Sequence, residues 1–365
     1  MGDDVLGSHL TERVLIVHQG AIGDFICCLP ALACVRQALT DAHITLLGYP
    51  RILEIALDRA YAQSILSIDR ADMALLYQEG ENYPAALKAL FEGFQQIGVF
   101  GGNDGPFARN LEVLSGAPVT VVPPFPQAGS DIHMIDHALS LARSMGFPVH
   151  RDCPRLHLLT RDRHEAGAFL NRHGVTADDP LIAIHPGSGS RKKMWPLERF
   201  LALAEALTTA HGGQILFVVG PGEEHIKERL LAMSRRRSWL VLSGLPLPLL
   251  GAVLEHARVF VGNDSGISHM ATAVDVPVVA LFGPTDPVVW APLGRDVTVI
   301  RRSIPCSPCD RGTMAQCEHQ RCLMGISVSE VRQAVTRVIE RTQDRHLGSR
   351  VDRAILDRDQ ELRLR

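Results

Sequence analysis

The strongest constraint on this 365-residue chain is a repeated pattern: short β-branched apolar runs, each ending in glycine and polar residues. RVLIV (13–17), HITLLGY (43–49), QSILSID (63–69) and QIGVFGG (96–102) form a first series. PLIAIHPGSGS (180–190), QILFVVGPGEE (214–224), WLVLSG (239–244), ARVFVGNDSG (257–266) and VPVVALFGPTD (276–286) form a second. Runs of five or six such residues are too short for helices and too uniformly apolar for a half-exposed sheet, so they read as buried parallel strands. Helical stretches such as FICCLPALACVRQAL and HMIDHALSLARSMGF (133–147) lie between them. Strand–helix alternation in both halves predicts an α/β fold with two parallel sheets. The charged, Pro- and Gly-containing stretch from 151 to 180 reads as the passage between domains. The boundaries expected are 1–165, 166–340 and a helical tail, 341–365.

Composition narrows the function classes. A net charge of −3 and 5% aromatic content disfavour a nucleic-acid binder, which needs basic patches and stacking platforms. The acidic start MGDDVLGSHLTERVLIV does not read as a signal peptide, and no apolar run approaches the roughly 20 residues of a membrane span. A cytoplasmic protein with reduced thiols is expected. The tail mixes both charges, which predicts a solvated helix, with weak contact to a membrane surface as the alternative.

In open α/β sheets ligands bind beyond the carboxyl ends of the strands, and four or five polar strand ends in the second half would line one crevice suited to a nucleotide-sugar. In DSGISHMATA a helix is expected to begin near Ser265, where free N–H groups beside Gly266 suit a phosphate. Asp264 or Ser265 acting only as a helix cap is the equal alternative. His269, one turn on, is either structural or part of that site. The loop HPGSGSRKKMWP offers Ser188 and the basic run Arg191, Lys192, Lys193, read either as leaving-group stabilisation or as a solvated turn. Glu223 and Glu224 are candidate ribose acceptors, or ordinary partners of a helix dipole. Gly23-Asp24 opens a helix after the first strand, where Asp24 is a cap or a proton acceptor. GAIGD matches neither G-x-G-x-x-G nor a P-loop.

Together RVLIVHQGAIGDFICCLPAL, IAIHPGSGSRKKMWPLERF and FVGNDSGISHMATAVDVPVVALFGPTDP resemble glycosyltransferase family 9, the lipopolysaccharide heptosyltransferases. The resemblance runs in order over residues 13–340. It implies a GT-B fold, two Rossmann-like domains whose sheets face an interdomain cleft. It also implies inverting, metal-independent transfer, without a cofactor, from ADP-heptose to a glycolipid or glycan acceptor at the inner membrane. Carried over by position, Asp24 is the general base and Lys193 the phosphate-binding lysine. Asp264 contacts the donor sugar, Ser265 and Gly266 supply phosphate-binding backbone, and His269 lies on the same helix. Ser188 and Glu223 or Glu224 fall on the donor side, and Gly23 and His18 on the acceptor side. Two departures concern the acceptor: family members often carry Lys or Arg at the position of His18, and an Asp-x-x-Ile-Asp-Leu-Gln-Gly strand is absent. A different GT-B enzyme, such as a nucleotide-sugar epimerase or a transferase for another glycan, is one alternative. A non-catalytic nucleotide-sugar-binding protein is the other, and the presence of Asp24 favours an enzyme over it.

The late cysteines are spaced Cys306-x2-Cys309-x7-Cys317-x4-Cys322. Four thiolates so spaced suit a structural Zn²⁺, and reduced thiols or a redox-sensitive loop are the alternative. The resemblance implies no metal there. Cys27, Cys28 and Cys34 read as core residues of an apolar helix.

Overall fold

In the computed structural model, residues 11–80, 82–101, 105–176, 179–234, 237 and 239–342 are described. The chain divides into two compact units. One runs to Asp162 and includes Pro246–Pro248; the other comprises Arg163–Leu245 and the chain from Leu249 onward.

The first unit is built on five strands, β1 (Arg13–His18), β2 (His43–Gly48), β3 (Ser64–Ser67), β4 (Gln96–Phe100) and β5 (Val119–Val122). They lie in the order β3-β2-β1-β4-β5, and every pair is parallel. Leu15, Val17, Leu47, Ile97 and Val99 pack with Phe91, Phe107 and Leu111 into one core. The helix Ile22–Ala38 follows β1 and buries Phe25, Ile26, Cys27, Cys28, Leu29 and Cys34. A helix so apolar on all sides needs cover beyond its sheet, and Met134–Ser144 packs against it. At the end of β2, Gly48 is in register with His18, and a Cβ there would lie 2.0 Å from the His18 carbonyl oxygen. Only glycine lets these two strand ends approach so closely.

The second unit carries six parallel strands, β6 (Leu181–His185), β7 (Gln214–Val219), β8 (Trp239–Ser243), β9 (Ala257–Asn263), β10 (Val278–Phe282) and β11 (Val297–Arg301). Their order is β11-β10-β9-β6-β7-β8. The core on this sheet joins Ile182, Ile184, Phe217, Val259, Val261 and Leu281 to Trp195, Phe200 and Leu323. It extends to Val331, Val335 and Ile339 in the helical residues 328–342. The stretch expected to be a connecting segment holds the helix Thr160–Arg172. Asp162 at its start accepts from the backbone N–H of Leu159 (2.7 Å) and forms a buried, two-pronged ion pair with Arg59. Most of the predicted C-terminal tail, residues 343–365, lies outside the described residues. Among the described residues no helix is long and apolar enough to cross a membrane.

Candidate active site

Strand order marks a candidate site in the second unit. From β6 the chain proceeds outward through β7 and β8, then returns to the other side of β6 with β9 and proceeds through β10 to β11. The carboxyl ends of β6 and β9 therefore adjoin, with His185 in register with Gly262. Helices leaving these two strands diverge, and such a reversal opens the crevice in which doubly wound sheets bind ligands.

Asn263, fully buried at the end of β9, ties the surrounding loops together. Its Nδ2 donates to the carbonyls of Pro186 (2.9 Å) and Gly187 (3.1 Å), and its Oδ1 accepts from Trp195 N–H (2.9 Å). Ser188 Oγ donates to the carbonyl of Asp264 (2.7 Å). Two chain segments distant in sequence are thereby fixed beside one another.

The Asp264 carboxylate is the focus of this arrangement. Lys193 Nζ donates to its Oδ2 at 3.0 Å, and Thr285 Oγ1 donates to the same oxygen at 2.8 Å. Among the described residues no hydrogen bond falls on Oδ1. One carboxylate oxygen is thus committed to holding position, and the other retains its capacity to accept from a hydroxyl. The helix Gly266–Ala273 begins directly afterwards, with Ser265 as its N-cap. Ser265 Oγ accepts from Ser268 N–H, and Ser268 Oγ donates to the carbonyl of Asn263 (2.6 Å). The cap satisfies one of the four N–H groups a helix start leaves open, and the positive end of the helix dipole remains beside Lys193 and Asp264. His269 is buried on the first turn.

The two glutamates after β7 separate. Glu223 is buried: its Oε2 accepts from Gly220 N–H (2.8 Å), and a Cβ on Gly187 would lie 1.7 Å from its Oε1. The glycine in HPG is therefore what admits the carboxylate to the β6 loop. His185 lies nearby with Nδ1 against the carbonyl of Val218 (2.9 Å). Burial lowers its pKa, and the Glu223 charge opposes that shift. Glu224 instead turns outward and pairs with Lys227 at 3.1 Å.

In the first unit the strand order reverses between β1 and β4, and His18, Gly23 and Asp24 lie at or just beyond the end of β1. Asp24 Oδ2 accepts from Ala21 N–H (3.0 Å), so its carboxylate caps the helix from inside the first turn. Gly23 occupies the same partly exposed turn. A Cβ on Gly20 would meet His18 Cε1 at 2.9 Å and Asp24 Oδ2 at 3.1 Å, so the imidazole and the carboxylate flank this glycine. His18 packs against Phe25 and Phe100, with ring centroids 5.0 and 5.9 Å away, and its buried Nδ1 has no hydrogen bond among the described residues. Burial pushes its pKa down to about 4.

The structure thus joins Ser188, Lys193, Asp264, Ser265 and Gly266, brings Glu223 against the same loop, and leaves Glu224 at the surface. Asn263, Thr285 and His185 do not stand out in the sequence, although all three end or follow strands in its polar strand ends. All eight cysteines are free. Among the described residues no group of three or more His, Cys, Asp or Glu is placed to hold a metal ion, Cys306, Cys309, Cys317 and Cys322 included.

Comparisons with known proteins bear on the family and the fold. The chain is 32% identical over 148 residues to lipopolysaccharide heptosyltransferase 1 of Pseudomonas aeruginosa, covering 40% of this chain and 41% of that protein. It is 30% identical over 195 residues to lipopolysaccharide heptosyltransferase 2 of Salmonella typhimurium, covering 51% and 56%. The chain thus spans about half the length of these curated relatives. A longer match, 26% identical over 323 residues, covers 79% of this chain and 93% of lipopolysaccharide heptosyltransferase 1 of Escherichia coli. Among solved structures, a family 9 glycosyltransferase from Veillonella parvula superposes with a TM-score of 0.75 at 20% identity, covering 90% of this chain and 98% of that one. ADP-heptose lps heptosyltransferase II of E. coli gives 0.72 at 18% identity, covering 91% and 99%. These likenesses show the fold, the GT-B class with two Rossmann-like domains. The profile of glycosyltransferase family 9 (heptosyltransferase) matches residues 123–319, more than half of the sequence, from just after β5 through Asp264 and into the cysteine-rich segment, and the chain belongs to that family.

Proposed function

We propose that the chain is an inverting, metal-independent glycosyltransferase that moves heptose from ADP-heptose to a hydroxyl of a lipopolysaccharide-core acceptor. The observation that carries this reading is the Asp264 carboxylate, held on one oxygen by Lys193 and Thr285 at the start of a dipole-bearing helix. An unpaired carboxylate oxygen beside a helix N-terminus and a lysine suits a sugar hydroxyl joined to a diphosphate.

In the proposed reaction Asp24 takes the proton of the acceptor hydroxyl. The oxygen attacks the anomeric carbon as the bond from that carbon to the diphosphate oxygen breaks, and ADP departs from the opposite face. Lys193 and the N–H groups at Gly266 receive the charge that develops on the leaving diphosphate. Glu223, rather than Glu224, accepts from the ribose, because it is the carboxylate drawn in toward the β6 loop. His269 supports the same helix turn. On the acceptor side Gly23 gives access to Asp24, and His18 contributes as a neutral group. The role of Asp24 rests on the family resemblance. A cytoplasmic location, with the acceptor met at the inner membrane, belongs to the same reading.

The test is nucleotide release. Protein is incubated with ADP-heptose or UDP-sugars, with and without lipid A-Kdo acceptor. Acceptor-dependent ADP release from ADP-heptose is expected. Release from a different nucleotide-sugar would redirect the donor assignment, and tight ADP-heptose binding without turnover on any acceptor would favour a non-catalytic binding protein.

A further inference from the structure

The cysteine-rich segment 305–325 is a sequence motif that the proposed chemistry leaves unused, yet it holds both neighbours of the Asp264 carboxylate. On one side Ser307 Oγ donates to the carbonyl of Gly283 (2.6 Å), and Cys309 N–H donates to the carbonyl of Pro284 (2.7 Å). These are the two carbonyls immediately before Thr285. On the other side Lys192 Nζ donates to the carbonyl of Cys317, and Gln320 Nε2 to that of Arg191 (3.4 Å). These contacts fix the turn that ends in Lys193. Beneath them Leu323 is fully buried against Gly283, where a Cβ would lie 2.5 Å from Leu323 Cγ.

We infer that Ser307 is a positioning residue for donor-sugar recognition. Gly283 and Pro284 follow the end of β10, where the ladder no longer dictates the backbone. The Ser307 bond supplies that constraint from a separate segment. With Gly283 held, Thr285 Oγ1 stays on Asp264 Oδ2, and the carboxylate keeps Oδ1 turned to the sugar. Ser307 thus acts through Thr285 and does not touch the donor. This inference rests on the donor reading above.

The experiment measures affinity for ADP and for ADP-heptose without acceptor, by calorimetry, in the parent, Ser307→Ala, Ser307→Thr, Thr285→Val and the Ser307→Ala/Thr285→Val pair. Losing one hydrogen bond to a backbone carbonyl predicts about three- to tenfold weaker ADP-heptose binding in Ser307→Ala. ADP, which lacks the sugar, binds Ser307→Ala as it binds the parent, and Ser307→Thr recovers parental ADP-heptose affinity. If Ser307 works through Thr285, the double variant is no weaker than Thr285→Val alone. Multiplying losses in the double variant, or equal losses for ADP and ADP-heptose, would overturn the inference while leaving the donor assignment intact. A parent that binds neither ligand would overturn the donor reading, and the inference with it.

Discussion

Lys193→Met separates the structural and chemical roles of the Lys193–Asp264 pair. The lysine side chain is 24% exposed and the aspartate 7%, with 3.0 Å between Nζ and Oδ2. At that separation the Coulomb attraction is at most about 5 to 6 kcal/mol for an effective dielectric of 20. Desolvation of both groups and solvent screening of a quarter-exposed lysine reduce the net contribution to roughly 1–2 kcal/mol. Asp264 keeps its bond from Thr285 in the variant, so the fold survives with a modest loss. Turnover falls further: removing a preorganised group that meets leaving-group charge costs on the order of 10²- to 10³-fold in kcat. Adding Asp264→Asn then distinguishes the two effects. It removes the stranded carboxylate and returns denaturant stability toward the parent value, but it cannot restore the missing cation. The assays are urea unfolding and acceptor-dependent ADP release from ADP-heptose. A Lys193→Met enzyme with near-parental kcat, or a double variant whose turnover recovers with its stability, would refute the leaving-group role.

Three further outcomes are expected. Asp24→Asn keeps an oxygen to accept from Ala21 N–H, so helix content and ADP affinity hold, while turnover drops about 10²- to 10⁴-fold; parental turnover would remove Asp24 as the base. Gly187→Ala displaces the Glu223 carboxylate and weakens ADP binding about tenfold or more, because a charge-assisted bond is lost, whereas Glu224→Ala leaves it unchanged; calorimetry in which the two variants behave alike would contradict the assignment of Glu223. His18 is neutral when folded, with a pKa near 4, and protonates near 6.5 when unfolded. As pH falls from 6.5 to 4 the unfolded chain gains a proton that the native state refuses, so stability declines by up to roughly 3 kcal/mol. Urea midpoints measured across that range should show a shallower decline in His18→Gln, and identical slopes in parent and variant would argue against the buried neutral imidazole.

The parts of this protein that sequence makes legible are those where one local pattern has one physical cause. β1, β2, β4, β6, β7, β9 and β10 are recognisable because strands buried on both faces leave unbroken apolar runs. β5 and β11 do not stand out in this way. Both are short, half-buried edge strands, as β3 and β8 are, but SILS and WLVLS carry adjacent large apolar residues whereas a threonine breaks the run in VTVV and VTVIR. The helix Thr160–Arg172 reads as a connection because charge crowds the first half of TRDRHEAGAFLNR, and its cover rests largely on buried Ala166 and Leu170. Within the site, polar residues at the ends of apolar strands stand out in the sequence, since polar groups there must be capped or bound to something. What they bind does not. Asn263 reaches back 77 residues to Pro186, and Thr285 reaches 21 residues to Asp264, through contacts that strand order alone creates.

The same distinction makes the two readings of GNDSGISHMA compatible. A cap and a ligand site compete only if they need the same atoms. Here Ser265 caps Ser268 N–H, while Lys193 and Thr285 share Asp264 Oδ2. These bonds fix the turn without occupying Asp264 Oδ1. Capping therefore supplies the rigidity that a donor site needs before its ligand arrives, and so keeps the ordering cost out of the binding step.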